Sequence, residues 1–228
     1  MPLCLLVETV PPPSITSAAD ALALAGVPDV SRETLGRLAT FVALIAKWQA
    51  ATNLVAPATL PDIWRRHVAD SAQLVAVFPE TGAWLDLGSG AGLPGLVVAI
   101  LLAERDGHVH LIESDTRKAA FLREAVRSTR APASVHQGRI ETVLASWQTP
   151  IDLVTARALA PLPRLLDLIA PLVPLGVRAA FPKGREYRRE LDDASQSWEF
   201  DLVEHRSRIE DDAVILELTR IRPKPRTP

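Results

Sequence analysis

Residues 83–95 read Ala-Trp-Leu-Asp-Leu-Gly-Ser-Gly-Ala-Gly-Leu-Pro-Gly, and this stretch restricts the fold more than any other. A short apolar run, Ala83 to Leu87, breaks into glycines at 88, 90, 92 and 95, and a helical apolar pattern follows from Leu96 to Ala103. The order is strand, tight loop, helix. Glycine carries no Cβ, so the backbone can turn sharply there and come close to a ligand. Pro94 falls in the first turn of the expected helix, where the missing N–H has no helical partner to lose. Free N–H groups and the positive dipole end at such a helix start favour a carboxylate, a phosphate or another electron-rich group.

The chain changes character on either side of this loop. From Ile15 to about Phe78 the apolar spacing is helical. Ser17 to Ala25 is a short helix closed by Gly26. Leu35, Leu38, Phe41, Val42, Ile45 and Trp48 recur every three to four residues behind a helix start at Ser31. Leu60 to Phe78 reads as a further helix with Pro61 in its first turn. From Ala83 onward strands and helices alternate. Strands are expected at 83–87, 109–113, 133–136, 151–156 and 177–181, and helices from 96 and over 116–128, 162–172 and 185–196. The last two expected strands, 200–206 and 213–220, have only the turn Ile209-Glu210-Asp211-Asp212 between them and should pair antiparallel at one edge. Such alternation predicts an α/β fold, a mostly parallel seven-stranded sheet covered on both faces. The expected layout is a leader at 1–14, a helical segment at 15–80, the sheet domain at 81–221 and a basic tail at 222–228.

Composition excludes several classes. Hydrophobic residues make up 48% of the 228, enough for a sizeable core. The single cysteine, Cys4, cannot form an internal disulfide, which suits a reducing, cytoplasmic setting. The apolar start lacks a basic n-region, and the longest strongly apolar run, Leu93 to Ala103, is far short of the ~20 residues that span a bilayer. The net charge of −2 means that a nucleic-acid partner must be met by a local patch. The five histidines show no metal-ligand spacing, so no metal is expected. Nothing in the pattern calls for an obligate dimer, and the chain reads as a monomer.

Gly90, Gly92 and Gly95 satisfy G-x-G-x-x-G, a weak signal when it stands alone. Two ligands compete for such a loop. NAD would set its pyrophosphate on the helix start, whereas S-adenosylmethionine would set its amino-acid end on the loop backbone. Glu113, at the end of the second strand, can accept both hydroxyls of a ribose. Asp86, inside the first strand, suits an ammonium and a sulfonium and would repel a pyrophosphate. With the antiparallel final pair, these residues favour S-adenosylmethionine.

With those residues in place, the chain resembles the bacterial 16S rRNA guanine-N7 methyltransferase family, RsmG, formerly glucose-inhibited division protein B. The resemblance runs from roughly Leu35 to Leu218. It rests on Asp86 to Gly95 with its Leu-Pro-Gly ending, and on Leu111-Ile-Glu-Ser-Asp-Thr-Arg-Lys118. It also rests on Gly138-Arg-Ile-Glu141, Val154-Thr-Ala-Arg-Ala158 and Phe181-Pro-Lys-Gly184, and upstream on Arg66-His-Val-Ala-Asp-Ser71. It implies a Rossmann-like, S-adenosylmethionine-dependent methyltransferase fold and methylation of N7 of a guanine in 16S rRNA, with the 30S subunit as partner. A methyltransferase of the same fold acting on another RNA or a small molecule is the alternative. The implied cofactor-binding residues are Asp86, Gly88, Gly90, Gly92, Leu93, Glu113, Ile140, Glu141 and Arg157.

Guanine N7 carries a lone pair and no proton, so the implied step needs positioning and no general base. The position after the fourth strand, Ala156-Arg-Ala-Leu-Ala-Pro161, lacks the Asn/Asp-Pro-Pro-aromatic run of exocyclic-amine methylation, and Cys4 lies far from the domain. Arg157, at the carboxyl end of a parallel strand, faces the ligand crevice and is the expected catalytic residue. It would fork onto guanine O6 or a phosphate, or else form an ion pair with Asp152 or Glu113. Lys183, Arg185 and Tyr187 are the expected RNA contacts. His67 and Asp70, three apart on a helix, share a face and read as a structural polar pair or an RNA contact.

Overall fold

The computed structural model describes residues 15–225; the expected leader at 1–14 and the end of the expected tail lie outside the described residues. Seven strands form one sheet in the order β3-β2-β1-β4-β5-β7-β6. They are β1 (Ala83–Leu87), β2 (His108–Glu113), β3 (Ala133–Gln137), β4 (Leu153–Thr155), β5 (Arg178–Lys183), β6 (Trp198–Arg206) and β7 (Val214–Pro223). β1 to β5 pair parallel, and β7 runs antiparallel to both β5 and β6, as expected. The order reverses between β1 and β4, so the loops after these two strands open a crevice at the carboxyl edge, where open α/β sheets take their ligands.

Each face of the sheet is covered because its side chains alternate. Trp84 joins a buried cluster with Val97 of α4 (Gly95–Leu102), Phe121 of α5 (Thr116–Thr129) and Phe41 and Ile45 of α2 (Arg32–Thr52). Leu85 and Leu87 join the opposite cluster with Leu165 and Leu166 of α7 (Leu162–Ile169) and with Phe181. The helical segment, beginning with α1 (Ile15–Leu24), therefore shares a core with the sheet. Among the described residues no helix is long and apolar enough to cross a membrane.

Three expectations change. The single helix expected over 60–78 is a 3₁₀ turn (Pro57–Asp62), a π-helical turn (Trp64–Ala69) and α3 (Asp70–Val77). Pro61 lies inside the first of these turns and has no N–H to donate to the Pro57 carbonyl, and the Asp70 N–H reaches back five residues to Arg65 O. The helix expected over 162–172 gives way to a 3₁₀ turn (Ala170–Leu175) that contains Pro171 and Pro174. β7 extends to Pro223, so Arg220 and Arg222 of the basic end are strand residues paired with Asp201 and Glu199 of β6.

Three histidines gather on the edge of the sheet. His110 Nδ1 and His136 Nε2 are hydrogen-bonded at 3.0 Å, His108 bonds Ser134 at 2.9 Å, and Trp147 packs edge-on against His110 and His136. Burial, aided by neighbouring imidazoles, pushes His110 down to about 4. Among the described residues no cluster of three His, Cys, Asp or Glu is arranged to hold a metal ion.

Candidate active site

β1 runs out at Leu87, and the chain turns through residues 88–94 into α4. Gly88 has a φ of +63°, and a Cβ there would lie 2.6 Å from Leu159 Cδ1, so both conformation and space call for glycine. The Ser89 N–H donates to Ile112 O at 3.0 Å, tying the loop to β2. The Gly90 N–H donates to Glu113 Oε2 at 2.8 Å, and the Asp115 N–H donates to Glu113 Oε1 at 2.7 Å. Two backbone donors thus fix this carboxylate at the edge of a cavity of about 380 Å³, which Gly88, Gly90, Ile140 and Glu141 also line. Ile140 and Glu141 open the short helix α6 (Ile140–Leu144), and Glu141 pairs with Arg164.

Asp86 stands behind the loop, and neither it nor Gly92, Leu93 or Arg157, all expected on the cofactor, lines this cavity. Leu93 is buried in the core. A strand alternates its faces, so Asp86 shares the side of Trp84, against which α4 packs. Its Oδ2 accepts the Gly95 N–H at 3.3 Å, while Oδ1 is buried without a partner. The helix start expected to receive an external anion is met by the chain's own carboxylate. Among the described residues, Asp86 and Glu113 are the only buried charged side chains, and neither accepts a hydrogen bond from a lysine or arginine. Glu113 at the cavity edge, with Asp86 behind the loop, fits a ligand that brings positive charge and opposes a pyrophosphate.

Burial raises the Asp86 carboxyl from 3.8 to about 7, with the nearby Glu113 charge pushing the same way. The proton is held more tightly in the folded chain than in the unfolded one. This contribution to stability is complete below pH ~4 and is lost as pH rises to about 7, on the order of 4 kcal/mol in all. Asp86→Asn removes that dependence. Urea unfolding of both proteins at a series of pH values should show the variant gaining on the wild type between pH 4 and 7 and holding a constant advantage above. Parallel pH curves would mean that Asp86 is ionised throughout.

Arg157 follows β4 and points to the helical segment, not to Asp152 or Glu113. Its Nη1 donates to Asp70 Oδ2 and its Nη2 to His67 Nδ1, both at 3.0 Å. Asp152 instead accepts the Ala83 N–H at 2.9 Å. The i, i+3 pair read from the sequence is therefore real, but the reading missed what it holds. No local signal could supply that partner, which lies 87 residues on. Arg157, His67 and Asp70 line a second cavity of about 680 Å³ together with Arg66, Lys183 and Gly184.

The two cavities share one wall, Ala158, Leu159 and Ala160. Ala158 has a φ of +52°, a conformation that costs a residue with a Cβ of order 1 kcal/mol. Lys183, expected on RNA, is turned inward. Its side chain is 9% exposed, and its Nζ donates to Ala160 O at 2.8 Å and pairs with Glu190 Oε2 at 2.6 Å. The same Glu190 oxygen accepts the Leu162 N–H at 2.7 Å. Glu190, on α8 (Tyr187–Ala194), carried no sequence signal. Arg185 is 79% exposed and faces Asp212, while Tyr187 donates its hydroxyl to Glu204 at 2.9 Å under the Arg188 guanidinium.

A parallel sheet with one antiparallel strand, a glycine loop after β1 and a carboxylate at the end of β2 define the Rossmann-like fold of S-adenosylmethionine-dependent methyltransferases. Cofactor-bound Rv0187 from MTB shares this fold, with a TM-score of 0.58 at 16% identity over 93% of this chain and 99% of that one. An MtNAS mutant in complex with S-adenosylmethionine does so with a TM-score of 0.51 at 16% identity, over 90% and 87% of the two chains. The family described as rRNA small subunit methyltransferase G, GidB, matches residues 34–213, and the chain belongs to it. Relatives of the name "Ribosomal RNA small subunit methyltransferase G" include one from Rhizobium rhizogenes, 53% identical over 85% of this chain and 95% of its own. One from Brucella canis is 50% identical over 87% and 93%.

Proposed function

We propose that this chain transfers the methyl group of S-adenosylmethionine to N7 of a guanine in the 16S rRNA of the small ribosomal subunit. The observation that carries the reading is the pair of cavities divided by the 158–160 wall, one edged by the buried Glu113 carboxylate, the other by a held arginine. Family membership supplies the substrate class.

Bound in the smaller cavity, S-adenosylmethionine supplies an electrophilic methyl on a sulfonium. The remaining work falls to the chain. Glu113, already aimed by two N–H donors, keeps lone pairs for ribose hydroxyls. Gly88 and Gly90 offer bare backbone to the amino-acid end, and Ile140 with Glu141 flanks the base. Asp86 acts through the loop as a buried charge that the ligand's cation draws into its ionised form. In the larger cavity Arg157 is the residue that meets the guanine, through O6, so that N7 stays free to attack. Positive charge leaves sulfur and appears on the base, which makes fixed dipoles and carboxylates the natural catalysts. Arg185 and Tyr187, outside the cavity, are the basic and aromatic surface for flanking RNA.

Calorimetry with S-adenosylmethionine, then transfer of labelled methyl to 30S particles and mass mapping of their 16S rRNA, tests the reading. The expected result is one stoichiometric binding site and one new N7-methylguanine. No heat at millimolar cofactor, or label in another RNA or a small molecule only, would sink it.

A further inference from the structure

We infer that His67 is a positioning residue that works as a neutral imidazole, with its proton on Nε2 and its Nδ1 lone pair given to Arg157. The inference deepens the reading above, because it assigns a role in preparing the larger cavity for its base.

The contacts on the two ring nitrogens admit one tautomer. Thr59 Oγ1 lies 2.7 Å from both Ala56 O and His67 Nε2. Its single hydrogen serves Ala56 O when Nε2 carries the ring's proton, so this side accommodates the tautomer that the other side requires. On the other side the Arg157 guanidinium has donors only, and its Nη2 lies 3.0 Å from Nδ1. Nδ1 must therefore be bare. A doubly protonated ring would set N–H against N–H at that contact. Burial, with the charges of Arg157 and then Arg66, holds His67 down to about 4, which agrees with the geometry.

The backbone makes this arrangement possible. His67 lies in the π-helical turn and Asp70 at the start of α3, and both reach Arg157. π-turns recur where a side chain must be re-aimed at a functional site. Asp70 is braced in turn by Gln73 Nε2 at 2.8 Å, and Gln73 Oε1 accepts the Arg208 N–H at 3.1 Å. The guanidinium is left with unused N–H groups on a side chain that lines the larger cavity. Without His67 only Nη1 would be held, by Asp70 Oδ2 at 3.0 Å and Arg66 O at 3.4 Å. The acceptor for Nη2 sets the guanidinium plane.

Two substitutions separate this role from packing. In His67→Asn the amide oxygen stands near the place of Nδ1 and can still accept from Arg157. In His67→Gln the longer amide reaches toward Thr59, the place of Nε2, and leaves Arg157 Nη2 without its acceptor. Steady-state kinetics on 30S particles should show Asn recovering most of kcat, with Gln lower by about tenfold or more. The S-adenosylmethionine affinity of both should stay at the wild-type level. Equal kcat for the two variants, or a more active Gln, would overturn the inference.

A second measurement needs no activity. Long-range ¹H–¹⁵N correlation of histidine-labelled wild-type protein at neutral pH should find Nε2 protonated and Nδ1 bare and hydrogen-bonded. Arg157→Gln should shift the Nδ1 signal. A protonated Nδ1 overturns the assignment even if methyl transfer is found. The predicted tautomer in a protein that methylates no RNA would leave the arrangement standing and refute the functional reading alone.

Discussion

Arg157→Ala should lower kcat on 30S particles by roughly two to three orders of magnitude, the usual cost of deleting one preorganised electrostatic group. Its effect on the fold should be small by comparison. The ion pair with Asp70 is half-buried, with 19% and 17% of the two side chains exposed, and truncation leaves Asp70 Oδ1 bonded to Gln73. A loss of about 1 kcal/mol is expected from urea unfolding. Cofactor affinity should hardly move, since Arg157 does not line the smaller cavity. Arg157→Lys should rescue little, because a single ammonium cannot satisfy Asp70 and His67 in one plane and still present a fork. Wild-type turnover in Arg157→Ala would show that the role is wrong.

Gly95→Ala should have the largest effect on stability. A Cβ at this position would lie 2.5 Å from both Asp86 Oδ2 and Leu111 Cδ2, and 2.7 Å from Asp86 Cβ. Asp86 and Leu111 are fully buried, so neither can swing into solvent. β1 and α4 would have to separate, a cost at the upper end of the ~1–3 kcal/mol typical of overpacking. Cofactor affinity should fall with it, because the displaced helix start is continuous with the loop. Gly36→Ala is the control. That glycine lies within α2 with nothing within 4 Å of the added atom, and the change should stabilise by about 0.5–1 kcal/mol. Similar thermal shifts for the two variants would refute the packing account.

The glycine loop shows how far local pattern reaches. A strand, a glycine run and an apolar helix can be read directly because each follows from a short-range rule, and the strand–helix alternation then determines the sheet. Glu113 was equally legible, since the residue after a strand's apolar run at the crevice edge has few other places to go. That Asp86 stands behind the loop and not in the cavity is also legible in the sequence. Counting alternate residues from Trp84 puts its side chain beneath α4. Where the Lys183 ammonium turns has no sign in the sequence, because its charge is taken up by Glu190 on a later helix and by a carbonyl on an earlier loop. The partners of Arg157 belong to the same class. Pairings between distant segments carry no periodicity, so a single sequence offers them no signature. The breakdown of the expected helix into 3₁₀, π and α turns was signposted only by its prolines.

The core shared by α2 and the sheet bears on how this chain can be shortened. The helical segment looks like a detachable preface in front of a familiar enzyme domain. A chain begun at residue 81 would bare the apolar surface that Phe41, Ile45 and Val68 now cover, and it would leave the crevice arginine without the two side chains that hold it. Such a truncation should yield aggregated, inactive material and not a minimal catalyst. The helical segment and the sheet are built on one core, so truncation should remove recognition and chemistry together.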